Sequence, residues 1–295
     1  MDVILDVEGL VKKYERFSLK EVSFRIPKGY IMGFIGRNGA GKTTVIKCIM
    51  DLIPFEAGSI EVFGLDSRRC SDEIRRRVGY VSEEHYFYEN MTAGWNLDFF
   101  GGFYPKHDRD LASSLMRKFD IDPSKKVSEL SKGMKVKLAL ALALSHRPEL
   151  LILDEPTSGL DPVIRNELLE LLMEVVQDEN CSIFFSSHIT SDIEKIADFV
   201  TFIEDGRIVI SDVKDAILDK WRLFRIDNNC SIAGLSGRLI GVKIGEFGFS
   251  GMTDDPQGFI RELTGKYPDA RYKVEKVSLD DILIRIVREE EANEG

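Results

Sequence analysis

Eight residues, Gly36-Arg37-Asn38-Gly39-Ala40-Gly41-Lys42-Thr43, constrain this chain more than any other feature. They fit the pattern G-x-x-x-x-G-K-[ST]. They follow an almost continuously apolar run, Tyr30-Ile31-Met32-Gly33-Phe34-Ile35, and precede a helix expected over 42–53 and stopped by Pro54. Glycines at this spacing let the backbone wrap closely around an anion, so that several N–H groups point at one phosphate. The helix N-terminus behind the loop adds partial positive charge. In such a loop Lys42 reaches β- and γ-phosphates and the Thr43 hydroxyl completes a Mg²⁺ shell.

A strand covered on both faces, then a glycine loop, then a helix, also commits the chain to an α/β architecture. The same buried-strand texture returns at 150–153 (LLIL), 182–185 (SIFF) and 199–203 (FVTFI), separated by long helical patterns, so a largely parallel core is expected. Segments 3–7 and 21–26 alternate apolar and polar residues, as half-buried antiparallel strands do. Between about 84 and 146 the texture is helical, which marks an inserted subdomain. The core pattern ends after 208–210. Residues 212–295 read as a small α+β appendage, with helices at 213–220 and 278–287, strands at 223–226 and 271–274, and a glycine-rich middle from Gly234 to Gly251. The acidic end, 289–295, reads as a solvated tail.

Composition excludes several classes. The 295 residues carry 40 Lys+Arg and 50 Asp+Glu, a net charge of −10, which argues against a globally basic nucleic-acid binder. No apolar run approaches the ~20 residues that span a bilayer. The longest, 138–144, reads as buried helix. The first residues lack the basic region of a signal peptide. Cys48, Cys70, Cys181 and Cys230 show neither metal-ligand nor disulfide-framework spacing, in keeping with a reducing, cytoplasmic compartment. Asn-x-Ser/Thr at Asn90, Asn180 and Asn229 is then without consequence.

A second chemical feature is Leu150-Leu151-Ile152-Leu153-Asp154-Glu155, an apolar strand ending in two carboxylates. An Asp at a core-strand terminus beside the phosphate loop can hold a hydrated Mg²⁺. Glu155, next to it, is placed to act as general base on a water attacking the γ-phosphate.

The order of the phosphate loop, Leu130-Ser131-Lys132-Gly133-Met134, the run LLILDEPTSGLDP and then Ser186-Ser187-His188 resembles the ATP-binding cassette (ABC) ATPases. The resemblance covers about residues 1–211. It implies a P-loop NTPase fold with a mixed sheet core, an antiparallel β subdomain and the inserted helical subdomain. It further implies ATP bound through Gly36, Arg37, Asn38, Gly39, Ala40, Gly41, Lys42, Thr43 and Thr44, and a head-to-tail dimer with two ATP molecules at its interface. Ser131 and Gly133 of one subunit would then face the phosphate loop of the other. The same resemblance makes Asp161 the carboxylate that couples the two sites, and His188 the switch histidine supporting Glu155. It makes Tyr14 the ring stacked on adenine.

Two positions depart from the family pattern. Glu83 stands where a Gln is usual; it still offers an oxygen to Mg²⁺ but adds negative charge near Glu155 and cannot donate a hydrogen bond. Lys132 and Met134 replace the commoner Gly and Gln of the signature. Both variants resemble the ATPases of compact drug, lantibiotic and antibiotic exporters. That likeness implies a separately encoded transmembrane permease as partner, a homodimer or a heterodimer with a similar ATPase, and attachment to the cytoplasmic face through the permease. A soluble ABC ATPase acting on ribosomes or DNA, or a regulatory subunit with little hydrolysis, are the competing readings.

The aromatic set His85-Tyr86-Phe87-Tyr88, with Trp95, Phe99, Phe100, Phe103 and Tyr104, is read as core or, least of all, as a base-stacking surface. The family resemblance implies that it is core plus a groove for a helix of a membrane partner. Thr92 reads as the N-cap of the helix that carries Trp95. Arg68, Arg69, Arg75, Arg76 and Arg77 read as a solvated helix face. The ending Val277-Ser278-Leu279-Asp280-Asp281-Ile282-Leu283 resembles the terminal segment of exporter ATPases. Its apolar face, Leu279, Ile282, Leu283 and Ile286, is a candidate self-association surface.

Overall fold

Hydrophobic patterning resolves into three sheets among the described residues of the computed structural model, which are 2–177, 181–228, 235, 238–246 and 248–285. The chain divides into two compact units, Met1–Ser211 and Asp212–Gly295.

In the first unit β1 (Val3–Lys13) and β2 (Ser18–Pro27) pair antiparallel. Both are longer than their alternating segments, because Gly9 at φ 60° absorbs a register shift between Val7 and Leu10 and the buried period continues through Leu10 and Leu19. All five residues of β3 (Ile31–Ile35) are buried, and α1 (Lys42–Ile49) follows the phosphate loop. This helix ends before Pro54 is reached: Asp51 turns left-handed at φ 52°, and Leu52 N donates to Lys47 O at 2.9 Å, closing the helix end as a Schellman motif does. β4 (Ala57–Val62) and β5 (Leu65–Asp66) complete an antiparallel sheet of order β2-β1-β4-β5.

Helix α2 (Ser71–Arg77) leads into β6 (Val78–Val81), after which the chain makes the helical insert. There α3 (Ala93–Gly101) is capped by Thr92, whose hydroxyl accepts Trp95 N at 3.1 Å. α4 (Arg109–Lys118) is capped by Asp108, and α5 (Lys132–Leu144) by Ser131. The chain then alternates β7 (Leu150–Asp154), α6 (Pro162–Gln177), β8 (Ser182–Ser187), α7 (Thr190–Ile196), β9 (Phe199–Glu204) and β10 (Arg207–Val213). These strands make a second sheet of order β10-β9-β3-β8-β7-β6, parallel from β9 to β6. Phe24 of β2 lies 5.3 Å from the ring of Phe34 and stacks at 5.6 Å on Phe184, which ties the antiparallel sheet to the core sheet.

In the second unit α8 (Lys214–Lys220) precedes β11 (Arg222–Asp227), β12 (Ile240–Gly245), β13 (Gly248–Thr253), α9 (Pro256–Lys266) and β14 (Tyr272–Glu275). Its sheet has the order β12-β13-β11-β14 and encloses its own core of Phe224, Ile226, Phe249, Phe259 and Leu263. Residues 279–285 are helical, with Leu279 1%, Ile282 0% and Leu283 6% exposed. Leu279, Ile282 and Leu283 of the expected self-association face are therefore already covered within the chain. Arg285 anchors this turn by donating to Gly241 O at 3.1 Å. Ile286, Gly234, Asn180, Asn229, Cys230 and the acidic tail lie outside the described residues. Among the described residues no helix is long and apolar enough to cross a membrane.

Candidate active site

Strand β3 delivers the chain into a loop whose shape its glycines require. A Cβ on Gly36 would lie 2.5 Å from Ile203 O, and one on Gly41, at φ 113°, would lie 2.7 Å from the Phe17 ring. Gly39 is also left-handed, at φ 88°, but faces open space. Gly206 N donates to Ala40 O at 3.1 Å, and Arg37 lies 3.7 Å from Glu204, so the loop is held against the β9–β10 turn. Lys42, 5% exposed, folds back into the loop and donates to Gly36 O at 2.7 Å and Arg37 O at 3.2 Å.

β7 ends in two carboxylates, of which Glu155 reaches this loop. Asp154, 1% exposed, accepts from Ser186 Oγ at 2.7 Å. Glu155 sits just past the strand at φ 51°, a left-handed backbone that turns its side chain toward the loop, and its N–H is shared between Ser186 O and Ser186 Oγ, both at 3.2 Å. One Glu155 oxygen lies 3.0 Å from Lys42 Nζ; the other lies 2.7 Å from His188 Nδ1 and accepts His188 N at 3.3 Å. Oε1 makes no aligned hydrogen bond, so its contact with Lys42 is a charge pair open to exchange. Near the same strand end, burial and the Asp154 charge push the Tyr80 phenol up to about 12.

A cleft of about 310 Å³ opens over this arrangement, lined by Phe17, Asn38, Gly39, Gly41, Lys42, Thr43, Thr44, Glu83 and Glu155. Of the residues that the sequence points to, it brings together Asn38, Gly39, Gly41, Lys42, Thr43, Thr44, Glu83 and Glu155, while Gly36, Arg37, Ala40, Asp154 and His188 do not line it. Tyr14 does not line it: its ring is 50% exposed, with Lys12 Nζ 5.2 Å from the ring centre. Phe17 lines it instead, at the end of the turn in which Tyr14 N donates to Phe17 O at 2.8 Å. Sequence reading missed Phe17 and Ser186. The available signals were an aromatic ring just before β2 and a hydroxyl pair, Ser186 and Ser187, closing a fully buried strand.

Ser131, Gly133 and Asp161 stand outside the cleft lining. The Ser131 hydroxyl caps α5, accepting Met134 N at 3.3 Å. Gly133 lets α5 approach α6, since a Cβ there would be 2.7 Å from Ile164 Cγ2. Asp161 caps α6 by accepting Val163 N and Ile164 N, both at 3.1 Å.

The aromatic set is not simply core. Tyr86, Tyr88, Phe99 and Phe103 are 77%, 52%, 38% and 71% exposed; on α3 it is Ala93, Asn96 and Leu97 that turn inward, which leaves Phe99 on the outer face. Trp95 and Phe99 stack at 4.8 Å, with Tyr88 edge-on to both. On the basic run, Arg68 covers the Phe55 ring, Arg77 covers Phe63 and pairs with Glu149, and Arg75 pairs with Asp72; these three serve local packing.

A family model described as "ABC transporter" matches residues 19–158. Over 212 residues the chain is 39% identical to the bacitracin transport ATP-binding protein BcrA of Bacillus licheniformis, covering 71% of this chain and 69% of that protein. The chain belongs to the ABC transporter ATP-binding family. The lantibiotic transport ATP-binding protein SrtF of Streptococcus pyogenes is 36% identical over 75% of this chain and 96% of its own length. A solved ATP-binding subunit of an ABC transporter superposes with TM-score 0.67 at 30% identity, over 73% of this chain and 92% of that one. A dimeric ATP-binding cassette in a post-hydrolysis state, bound to ADP and Pi, shares the fold at TM-score 0.64 and 20% identity. As an ABC ATP-binding subunit, this chain binds ATP and hydrolyses it to drive transport.

Proposed function

We propose that this chain powers an exporter of the antibiotic-efflux type, working as a head-to-tail dimer on a separately encoded permease at the cytoplasmic face of the membrane. The observation that carries the catalytic reading is the position of Glu155, 7% exposed and held between Lys42 at 3.0 Å and His188 at 2.7 Å on the wall of the phosphate-loop cleft.

The residues fit a Mg-nucleotide. The loop presents a buried ammonium and a left-handed turn at Gly39 open to the cleft, as a phosphate cradle requires. Thr43, Asp154 and Glu83 supply oxygen donors of the kind Mg²⁺ takes, and the ion would neutralise charge on the β- and γ-phosphates. A phosphate in the loop competes with Glu155 for Lys42. The exchange frees Oε1 to accept a proton from the attacking water, while His188 holds the other oxygen in place. Ser131 and Gly133, at the N-terminus of α5, would serve the nucleotide of the second subunit, and Asp161 would lie between the two sites.

The exposed aromatics Tyr86, Tyr88, Phe99 and Phe103 supply an apolar surface for a permease helix. The bacitracin and lantibiotic transport proteins among the relatives favour export of an antibiotic-type substrate. Purification of the native complex from detergent-solubilised membranes should bring down one multi-spanning membrane protein in stoichiometric amount. Recovery with ribosomes or DNA would overturn the export reading.

A further inference from the structure

We infer that Arg165 and Asp192 form a positioning pair that locks the helix behind His188 to the helix behind Asp161, and so fixes where His188 meets Glu155. The inference rests on the proposed role of His188 and names the residues that aim it.

Asp192, on α7 four residues after His188, is a carboxylate only 1% exposed. One of its oxygens accepts from Arg165 Nε, while Arg165 Nη2 donates to Ser191 Oγ at 2.9 Å, so one guanidinium grips two consecutive residues of the first turn of α7. Arg165 N in turn donates to Asp161 O at 3.0 Å. A single residue therefore joins the Asp161 loop to the segment carrying the switch histidine. On the other side, Ile189 N donates to Ser187 Oγ at 2.9 Å and Asp192 N to Ile189 O at 3.2 Å, which leaves His188 little freedom between β8 and α7.

Packing alone does not call for this pair. Ile193, fully buried, already seats α7 on the core sheet, against Gly33, where a Cβ would lie 2.1 Å from Ile193 Cγ2. That contact fixes where the helix sits. It does not fix how its N-terminal turn is rotated. A buried ion pair adds little net stability over apolar residues of the same volume, and here the second Asp192 oxygen is left without a hydrogen bond. What the pair does supply is direction, because the planar fork of Arg165 admits one arrangement of its two acceptors. Farther along the same helix seam Lys195 reaches Asn166 Oδ1 at 3.3 Å and Glu170 at 3.7 Å, in exposed and looser contacts.

The test is steady-state ATP hydrolysis by the full chain, with its membrane partner if turnover requires it. Displacement of a reacting group by about 1 Å costs up to 10²-fold, so Arg165→Ala and Asp192→Asn should each lower kcat about tenfold with KM within about twofold of wild type. Arg165→Lys, which keeps the charge but loses the fork, should recover only part of the rate. Asp192→Asn preserves shape, and its melting temperature guards against a folding defect. Lys195→Ala, on the same seam, should leave kcat unchanged. The deciding comparison is in the His188→Ala background, where Arg165→Ala should cost less than about twofold more. An equal tenfold loss with and without His188, or wild-type kcat in Arg165→Ala and Asp192→Asn, overturns the positioning role. Wild-type turnover in His188→Ala alone removes the reading of the site on which the inference stands.

Discussion

At the residue scale the site is built from polar groups that each serve two partners. Ser186 Oγ donates to Asp154 and accepts from Glu155 N, so one hydroxyl registers both carboxylates. The carboxylates were legible in the sequence because they end an apolar run. Ser186 was not, because nothing in a single strand shows which hydroxyl lies beside a neighbouring strand's end. His146 illustrates a different constraint. It is 1% exposed, stacks on Tyr104 at 4.0 Å and meets Val78 O at 3.2 Å. Burial holds its pKa below the usual 6.5; the carbonyls of Val78 and Leu142 partly oppose this, and His107 adds to it. A folded-state pKa below the unfolded value means that the unfolded chain takes up the proton first as pH falls. The stability contribution is thus complete above about 6.5 and is lost below it. The melting temperature should fall between pH 7.5 and pH 5.5, and the fall should be smaller in His146→Leu. An equal fall in both proteins would assign the acid sensitivity elsewhere.

At the element scale, the strands and helices with strong periodicity were readable and their ends were not. α1 stops at a left-handed Asp51, and α5 starts at Lys132 because the Ser131 hydroxyl caps it; in each case a local hydrogen bond overrides the apolar pattern. The second unit hid more. β12 and β13 lie in the glycine-rich stretch, and the glycines that blur the pattern are those that close pairing demands: a Cβ on Gly248 would lie 1.9 Å from Ile226 O, and one on Gly251 2.9 Å from Leu239. The turn before β2 brings a second aromatic into play as well. Tyr14 matches the family's stacking ring, yet Phe17 is the aromatic on the cleft wall. Phe17→Ala should weaken ATP binding about five- to tenfold, roughly 1–1.4 kcal/mol, in a titration with a fluorescent nucleotide. Unchanged affinity in Phe17→Ala, with loss in Tyr14→Ala, would return the base contact to Tyr14.

At the scale of the whole molecule, the catalytic unit ends at Ser211 and a second unit follows with its own sheet and core. The likeness to ABC proteins reaches over most of the first unit, and its motifs announce chemistry because phosphate binding needs particular residues at fixed spacing. No comparable chemistry marks residues 212–295, so that unit could be outlined from the sequence but not assigned a task. Its terminal apolar face looked like an interface because a sequence shows an amphipathic stripe without showing what covers it; Ile282, at 0% exposed, is covered within the chain. On the proposed reading the whole molecule acts through one event, hydrolysis at the cleft lined by Lys42 and Glu155, with His188 holding Glu155. Phosphate release by wild type and Glu155→Gln, at saturating Mg-ATP, tests that claim most directly. A fall of at least about 10²-fold with ATP still bound is the predicted result, and equal rates in the two proteins would contradict it.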